Sequence, residues 1–415
     1  MKKIAIFINI IPSFPAEKMG IITSQMGGWL MSMINGLIEY SKNDVNFDII
    51  SPYNNTDKLL KFNDGKLNYF LIPSSKNKVF WKEYIEKYSP NIIHINGTET
   101  DIADPIFELN YEGKIIISIQ GLINEISKNF YGGLHTKEII ANITLKDLFR
   151  GSTLPQRKRN MIKKIKSEEN KLINSDVIIG RTKWDYSYIN KLGLTSKYIT
   201  CNESLREAFY SDVKWDVEKC TPYTIFCSQG AIPYKGIHVL INSLKIVKMY
   251  FPEVQLRVAG YNIINKKTIR DRLLISSYGK YIDKLIKKNK LEENIKFIGN
   301  LDQIGIYNEL INSNVFVQTS YIENSPNSLA EAIMLDVPVI ATLVGGTEQY
   351  ISHNFNGYLY DYKDENILAY YIMNIFRDKS LAKKFSKNHQ QSKAFFDRKT
   401  NAETLYNIYK TTLES

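Results

Sequence analysis

The chain has 415 residues, 44% of them hydrophobic, and 54 Lys and Arg against 43 Asp and Glu give a formal net charge of +11. That length exceeds one compact core and predicts two domains of ordinary globular composition. Three scattered thiols (Cys201, Cys220, Cys227) argue against a disulfide framework or a zinc site, and no run reaches the roughly 20 apolar residues that span a bilayer. The five His residues form no ligand spacing, so no metal site is expected.

Taken in order, short apolar runs alternate with helical periods, the pattern of parallel α/β sheets. The first run lies within MKKIAIFINIIPSFP, whose apolar part is too short for a signal peptide and reads as a buried strand, Ile4–Asn9. Further strands are predicted at Phe47–Ser51, Tyr69–Ile72, Ile92–Ile95, Ile115–Ile119 and Val177–Ile179, with helices at Gly28–Tyr40, Trp81–Tyr88 and Asn160–Ile173. Gly121–Leu154 has weak periodicity and reads as a mobile substrate-facing loop with one short helix. A polar segment, Ser211–Thr221, marks the boundary.

The second series has strands at Thr224–Cys227, Gln255–Ala259, Ile295–Ile298, Val315–Gln318 and Val337–Ala341. Its helices fall at Ile237–Tyr250, Tyr278–Asn289, Ile304–Ile311, Ser328–Leu335 and Glu365–Phe376, and two more are expected in Ala382–Leu413. The fold expected is two Rossmann-like α/β domains with a deep cleft at the carboxyl ends of both sheets. Residues 1–212 would form the first domain and 213–395 the second, with a final helix at about 396–415 returning to the first.

The chemistry concentrates in Tyr321–Gly346. Glu323 and Glu331 flank Ser325-Pro326-Asn327-Ser328, where Ser325 suits an N-cap and Pro326 the first turn. A helix start favours phosphate, and carboxylates accept sugar hydroxyls, so a nucleotide-sugar fits both. An acid/base pair is an equal reading of the two acids. Lys235, followed by Gly236 and a helix start, sits in the loop after Thr224–Cys227. Gly27 and Gly28 open the first long helix, while His94 and Asn96 end one strand and Gln120 the next. A lone His such as His94 is more often a satisfied structural residue. The densest basic run, Arg157–Lys166, reads as a solvated helix face, with membrane-surface binding as the sharper alternative.

ENSPNSLAEAIMLDVPVIATLVGG resembles the Glu-x7-Glu region of retaining GT-B glycosyltransferases of family GT4. The likeness extends back through PYKGIHVLINSLKIV, VQLRVAG and IKFIGNL and forward through GGTEQYI and NGYLY, and more loosely into IIHINGT and SDVIIGRTKWD. It implies that Glu323 contacts donor-sugar hydroxyls, Glu331 holds the ribose, Ser325–Ser328 face the phosphates, and Lys235 pairs with the pyrophosphate. The family places an Arg six positions before that Lys; here Gln229 stands there, and Arg181 and Arg206 are the candidate substitutes, with a salt bridge as the alternative for either. The family's His at the next strand end is replaced by Gln120.

The expected function is a retaining, metal-independent hexosyltransferase. It would move a sugar from UDP- or GDP-sugar to a carbohydrate or lipid-linked glycan in cell-surface polysaccharide assembly, needing no further cofactor. The expected setting is the cytoplasm, with peripheral contact at the inner membrane face left open and no nucleic-acid partner. A nucleotide-sugar epimerase and a non-catalytic binding protein are the alternatives.

Overall fold

The computed structural model describes residues 2–21, 28–41, 44–74, 77–265, 268, 271 and 273–414. The chain forms two compact units: Met1–Ile123, Lys163–Arg206 and Phe396–Ser415 in one, Asn124–Ile162 and Glu207–Phe395 in the other. Among the described residues no helix is long and apolar enough to cross a membrane.

The first unit holds an eight-stranded sheet of β1 (Lys2–Phe7), β2 (Val45–Pro52), β3 (Leu60–Asn63), β4 (Asn68–Ile72), β5 (Ile92–Asn96), β6 (Lys114–Ser118), β7 (Val177–Gly180) and β8 (Tyr198–Thr200). Their order is β3-β4-β2-β1-β5-β6-β7-β8. Only β3 runs antiparallel, against β4. The inner strands are buried on both faces, as helix-covered parallel sheets require, so they read as unbroken apolar runs. Helix α1 (Gly28–Ser41) and the C-terminal helix Arg398–Glu414 cover one face, with Gly36 meeting Ala402. Trp81 and Tyr84 of α2 (Asn77–Tyr88) fill the other face, where they join Phe7, Phe70 and Ile95.

Residues 124–162, expected within the first domain with Gly121–Leu154 as a loop bearing one short helix, carry several short helices and count with the second unit. They include most of α3 (Ile123–Lys128), α4 (Thr136–Ala141), α5 (Leu145–Phe149) and most of α6 (Leu154–Lys163). The reason is a small apolar core: Phe130, Ile139 and Leu154 pack with Tyr131, Leu134, Met161 and Tyr234.

The second unit's sheet is fully parallel, in the order β11-β10-β9-β12-β13-β14. Its strands are β9 (Thr224–Cys227), β10 (Gln255–Ala259), β11 (Ile295–Gly299), β12 (Val315–Gln318), β13 (Val339–Thr342) and β14 (Tyr358–Tyr360). The helices that matter below are α7 (Ile237–Tyr250), α8 (Ser277–Lys288) and α9 (Asn327–Met334). Central β9 and β12 are neighbours, so the loops leaving their carboxyl ends lie side by side, at a natural ligand position for an open α/β sheet.

Candidate functional site

Lys235 ends a single 3-10 turn, Pro233–Lys235, between β9 and α7. Gly236 follows at φ 71°, and a Cβ there would stand 1.9 Å from the Thr319 carbonyl oxygen, so only glycine lets this loop lie against the end of β12. The two loops are laced together: Thr319 Oγ1 donates to the Lys235 carbonyl at 2.9 Å. Tyr321 N donates to the Tyr234 carbonyl at 2.8 Å.

That lacing sets Lys235 Nζ 2.6 Å from Glu323 Oε1, across 88 residues of sequence. The two side chains are 22% and 13% exposed. Ser320 Oγ donates to the same carboxylate oxygen at 2.6 Å. Behind it, Gly345 at φ 55° brings its Cα so close that a Cβ would fall 1.6 Å from the Glu323 carbonyl. Burial by itself pulls the Lys235 ammonium down, but the Glu323 charge and hydrogen bond outweigh it and hold the pKa above its ordinary value. Lys235 is therefore a fixed cation at neutral pH.

Helix α9 begins one residue earlier than predicted, at Asn327, with Ser328 behind it. Its N-cap is Pro326, not Ser325, and no side chain caps it. Pro326 is extended, and its carbonyl accepts from Leu329 N and Ala330 N, both at 3.1 Å. That leaves the Ser325 hydroxyl to pair with the Tyr350 hydroxyl at 2.7 Å. Glu331 sits mid-helix and is 4% exposed. Gln229, half-buried just past β9, accepts the Cys227 thiol on its carbonyl at 3.4 Å. Lys235, Gly236, Glu323 and Ser325–Glu331 thus belong to the loops and helix that follow β9 and β12.

The remaining predicted residues lie in the first unit, apart from Gly27, which falls outside the described residues. His94 is fully buried between Tyr409 Oη at 2.6 Å and Ser118 Oγ at 2.7 Å. Burial pushes its pKa down to about 3, so it is a neutral structural ring and no proton carrier. Arg181 is 4% exposed and pairs with Glu203 at 2.6 Å. It also donates to the Ile119 and Gln120 carbonyls at 3.2 and 3.3 Å, as a salt-bridging residue would. Gln120 Nε2 donates to the same Glu203 at 2.5 Å. The Arg206 stem lies over Gly28, where a Cβ would meet its Cδ at 3.2 Å. Asn96 is 2% exposed and donates to the Phe7 carbonyl at 3.3 Å.

Asn96 and Gln120 also line a cavity of about 1070 Å³ within the first unit. Its walls are rich in amides (Asn9, Asn54, Asn55, Asn77) and include Trp29 and Tyr53. Its two charged residues, Asp101 and Lys164, pair with each other at 2.9 Å. Sequence reading missed most of this wall, because isolated asparagines on separate loops carry no spacing signal. It also missed Thr319 and Ser320, although a hydroxyl three residues before Glu323 is a usable clue.

Residues 213–392 match the family described as Glycosyl transferases group 1. An uncharacterized glycosyltransferase, MJ1059 of Methanocaldococcus jannaschii, is 25% identical over 296 residues, covering 69% of this chain and 64% of that one. The capsular polysaccharide biosynthesis glycosyltransferase CapM of Staphylococcus aureus is 30% identical over 181 residues, 43% of this chain and 44% of that one. The chain thus spans less than two thirds of the length of either relative. Anabaena Alr3699/HepE, solved in complex with UDP-glucose, superposes with a TM-score of 0.69 at 14% identity, covering 99% of this chain and all of that one. The Lys235–Glu323 loops fall inside the region that matches this family, and the structural neighbour gives the chain a two-domain fold of the GT-B type.

Proposed function

We propose that the protein transfers a hexose-type unit from a UDP- or GDP-sugar to a glycan or lipid-linked glycan acceptor, with retention and without a metal ion, in the assembly of a surface polysaccharide. The observation that carries this reading is the Lys235–Glu323 pair, held rigidly where β9 and β12 end. A fixed ammonium stabilises the charge that grows on a departing diphosphate. A carboxylate next to it accepts hydroxyls of the sugar being released. Glu331 and the first turn of α9 would serve the ribose and the phosphates. The capsular-polysaccharide relative and the UDP-glucose complex of the structural neighbour support the donor class and the setting.

In the proposed reaction the bond from the anomeric carbon to the β-phosphate oxygen breaks as the acceptor oxygen bonds to the same face of that carbon. The acceptor proton passes to the leaving phosphate oxygen, and Lys235 neutralises the diphosphate. The first unit's cavity suits the acceptor: side-chain amides both donate and accept, as sugar hydroxyls do, and Trp29 and Tyr53 offer apolar faces. With its one acid and one base paired, it favours an uncharged glycan over an anionic one.

The test incubates the protein with UDP- and GDP-sugars and glycan acceptors in the presence of a chelator, and reads the product's anomeric configuration by NMR. Retained configuration with undiminished turnover is expected. An inverted product would overturn the front-face route, and a donor epimerised without acceptor would replace transfer by isomerisation.

A further inference from the structure

Helix α5 is built inside out. Its acid, Asp147, is 4% exposed and turned inward. There it accepts from Ser277 N at 2.7 Å, from the Ser277 hydroxyl, and from Thr144 Oγ1 at 2.9 Å. Lys146 also points inward, donating to the Leu274 carbonyl at 2.5 Å. The outward face is apolar: Leu145 is 73% exposed, Leu148 56% and Phe149 88%. These positions, i, i+3 and i+4, share one side of the helix. Ile140 of the preceding α4 adds a fourth side chain at 62%. A soluble surface scatters its apolar residues singly; a helix that buries its polar side and presents its apolar side is made to meet something.

The charge around this face says what. Residues 124–162 carry seven Lys and Arg and three Asp and Glu. Lys137, on the same side of α4 as Ile140, and Arg150, at the end of α5, are exposed. The three acids are engaged: Asp147 is buried, Glu125 pairs with Lys128, and Glu138 takes His135 N at 2.8 Å and the Tyr281 hydroxyl at 3.2 Å. Four partly exposed apolar side chains fall short of the ~800 Å² per partner of a stable protein interface. Apolar side chains dipping into headgroups beside exposed cations suffice for reversible attachment to an anionic bilayer.

We propose that α5, with Ile140, is a membrane-docking element that seats the second unit on an anionic lipid surface. Phe149, Leu145 and Leu148 enter the interface and Lys137 and Arg150 meet the headgroups. The inference does not depend on which sugar is transferred, because vesicle binding needs no substrate.

The test is flotation of the full chain with phosphatidylcholine vesicles, with and without about one third phosphatidylglycerol, at low and high salt. Binding is expected to the anionic vesicles alone and to weaken with salt. The double substitution L145S/F149S should lower partition by about tenfold or more, and K137Q and R150Q by about fivefold each. Since α5 substitutions could disturb folding, F149W gives an independent reading: its emission should shift to the blue on anionic vesicles and stay put on neutral ones. Unchanged partition of L145S/F149S, or an F149W emission blind to anionic lipid, would overturn the proposal. So would a wild-type dimer in light scattering that the same double substitution abolishes, which would assign the face to a second copy of the chain.

Discussion

Among the described residues, Glu323 is the carboxylate partner that Lys235 must give up, and that makes Glu323→Gln an informative substitution. Glu323 Oε1 takes both Lys235 Nζ and Ser320 Oγ at 2.6 Å, and its side chain is 13% exposed. An incoming diphosphate must take the ammonium from this carboxylate, and it must also approach the carboxylate's negative charge. The amide keeps the shape, weakens the grip on Lys235 and removes the like charge, so both effects favour the bare nucleotide. A hydrogen bond to a charged group is worth about 1.5–3 kcal/mol, which converts to roughly 10- to 150-fold. With Lys235 22% exposed, solvent screening pulls the expectation to the lower part of that range, about tenfold tighter UDP or GDP. Transfer should move the opposite way, with kcat reduced, because a neutral amide holds the sugar hydroxyls less strongly than a carboxylate. Calorimetric titration with UDP and GDP, beside turnover of the matching nucleotide-sugar, measures both. If Glu323→Gln binds both nucleotides no better than the wild type, Lys235 is not the diphosphate's cation and the reasoning fails.

Lys235→Met should lower kcat by about 10²–10³-fold, the loss seen when one preorganised transition-state stabiliser is removed, and near wild-type turnover in a steady-state assay would remove it from the chemistry. Gly132→Ala should lower turnover while Lys235 stays in the chain, because a Cβ at φ 57° would stand 2.1 Å from the Pro233 carbonyl and displace the loop that carries Lys235; unaltered kcat would mean the loop absorbs the strain. Acidification should destabilise the fold, since burial holds His94 and His389 at about 3 and His238 at about 4. These rings stay neutral when folded but take protons when unfolded below about 6.5, so each forfeits about 2 kcal/mol between pH 7 and 5. The raised carboxyls of Glu99 and Glu365 offset part of this, and a thermal midpoint equal at both pH values would refute it.

The parts of the fold legible in the sequence were those whose physics is local. Interior parallel strands must be apolar on both faces, so Ile92–Ile95 and Val315–Gln318 announced themselves, and α7 was bounded by Gly236 and a steady helical period. The strands overlooked were β3, β8 and β14, each of three or four residues and each at or beside an edge of its sheet. In β3, Leu60–Asn63 alternates half-buried with exposed positions, and a run so short and polar carries no burial signal. Ser325 looked like a cap because Ser-Pro opens so many helices; Tyr350, 25 residues on, took its hydroxyl, and no local rule could foresee that. The Lys235–Glu323 contact spans 88 residues, and family likeness implied a donor role for each residue but not their pairing, whereas Arg181 was legible as a salt-bridge candidate but not its partner Glu203.

Residues 124–162 show how a segment with no period of its own can still matter to the site. Its backbone docks through Gly132, whose carbonyl accepts from His238 Nε2 at 2.8 Å. That bond requires the proton on Nε2, so Nδ1 accepts from the Tyr278 hydroxyl at 2.9 Å, and burial keeps the ring from taking a second proton. Phe130 packs on Tyr234, the residue before Lys235, with ring centroids 6.3 Å apart. The loop bearing Lys235 is therefore held from one side by the loop leaving β12, through Thr319 and Tyr321, and from the other by the segment that ends in α5 and α6. A cation held on two sides pays little reorganisation when charge develops beside it, which is the condition for strong electrostatic stabilisation. The same rigidity links the two proposals. If α5 seats on a bilayer, the segment that braces Lys235 through Gly132 and Phe130 also carries the membrane-facing helix, and the path from lipid to the Lys235 loop runs within that one segment.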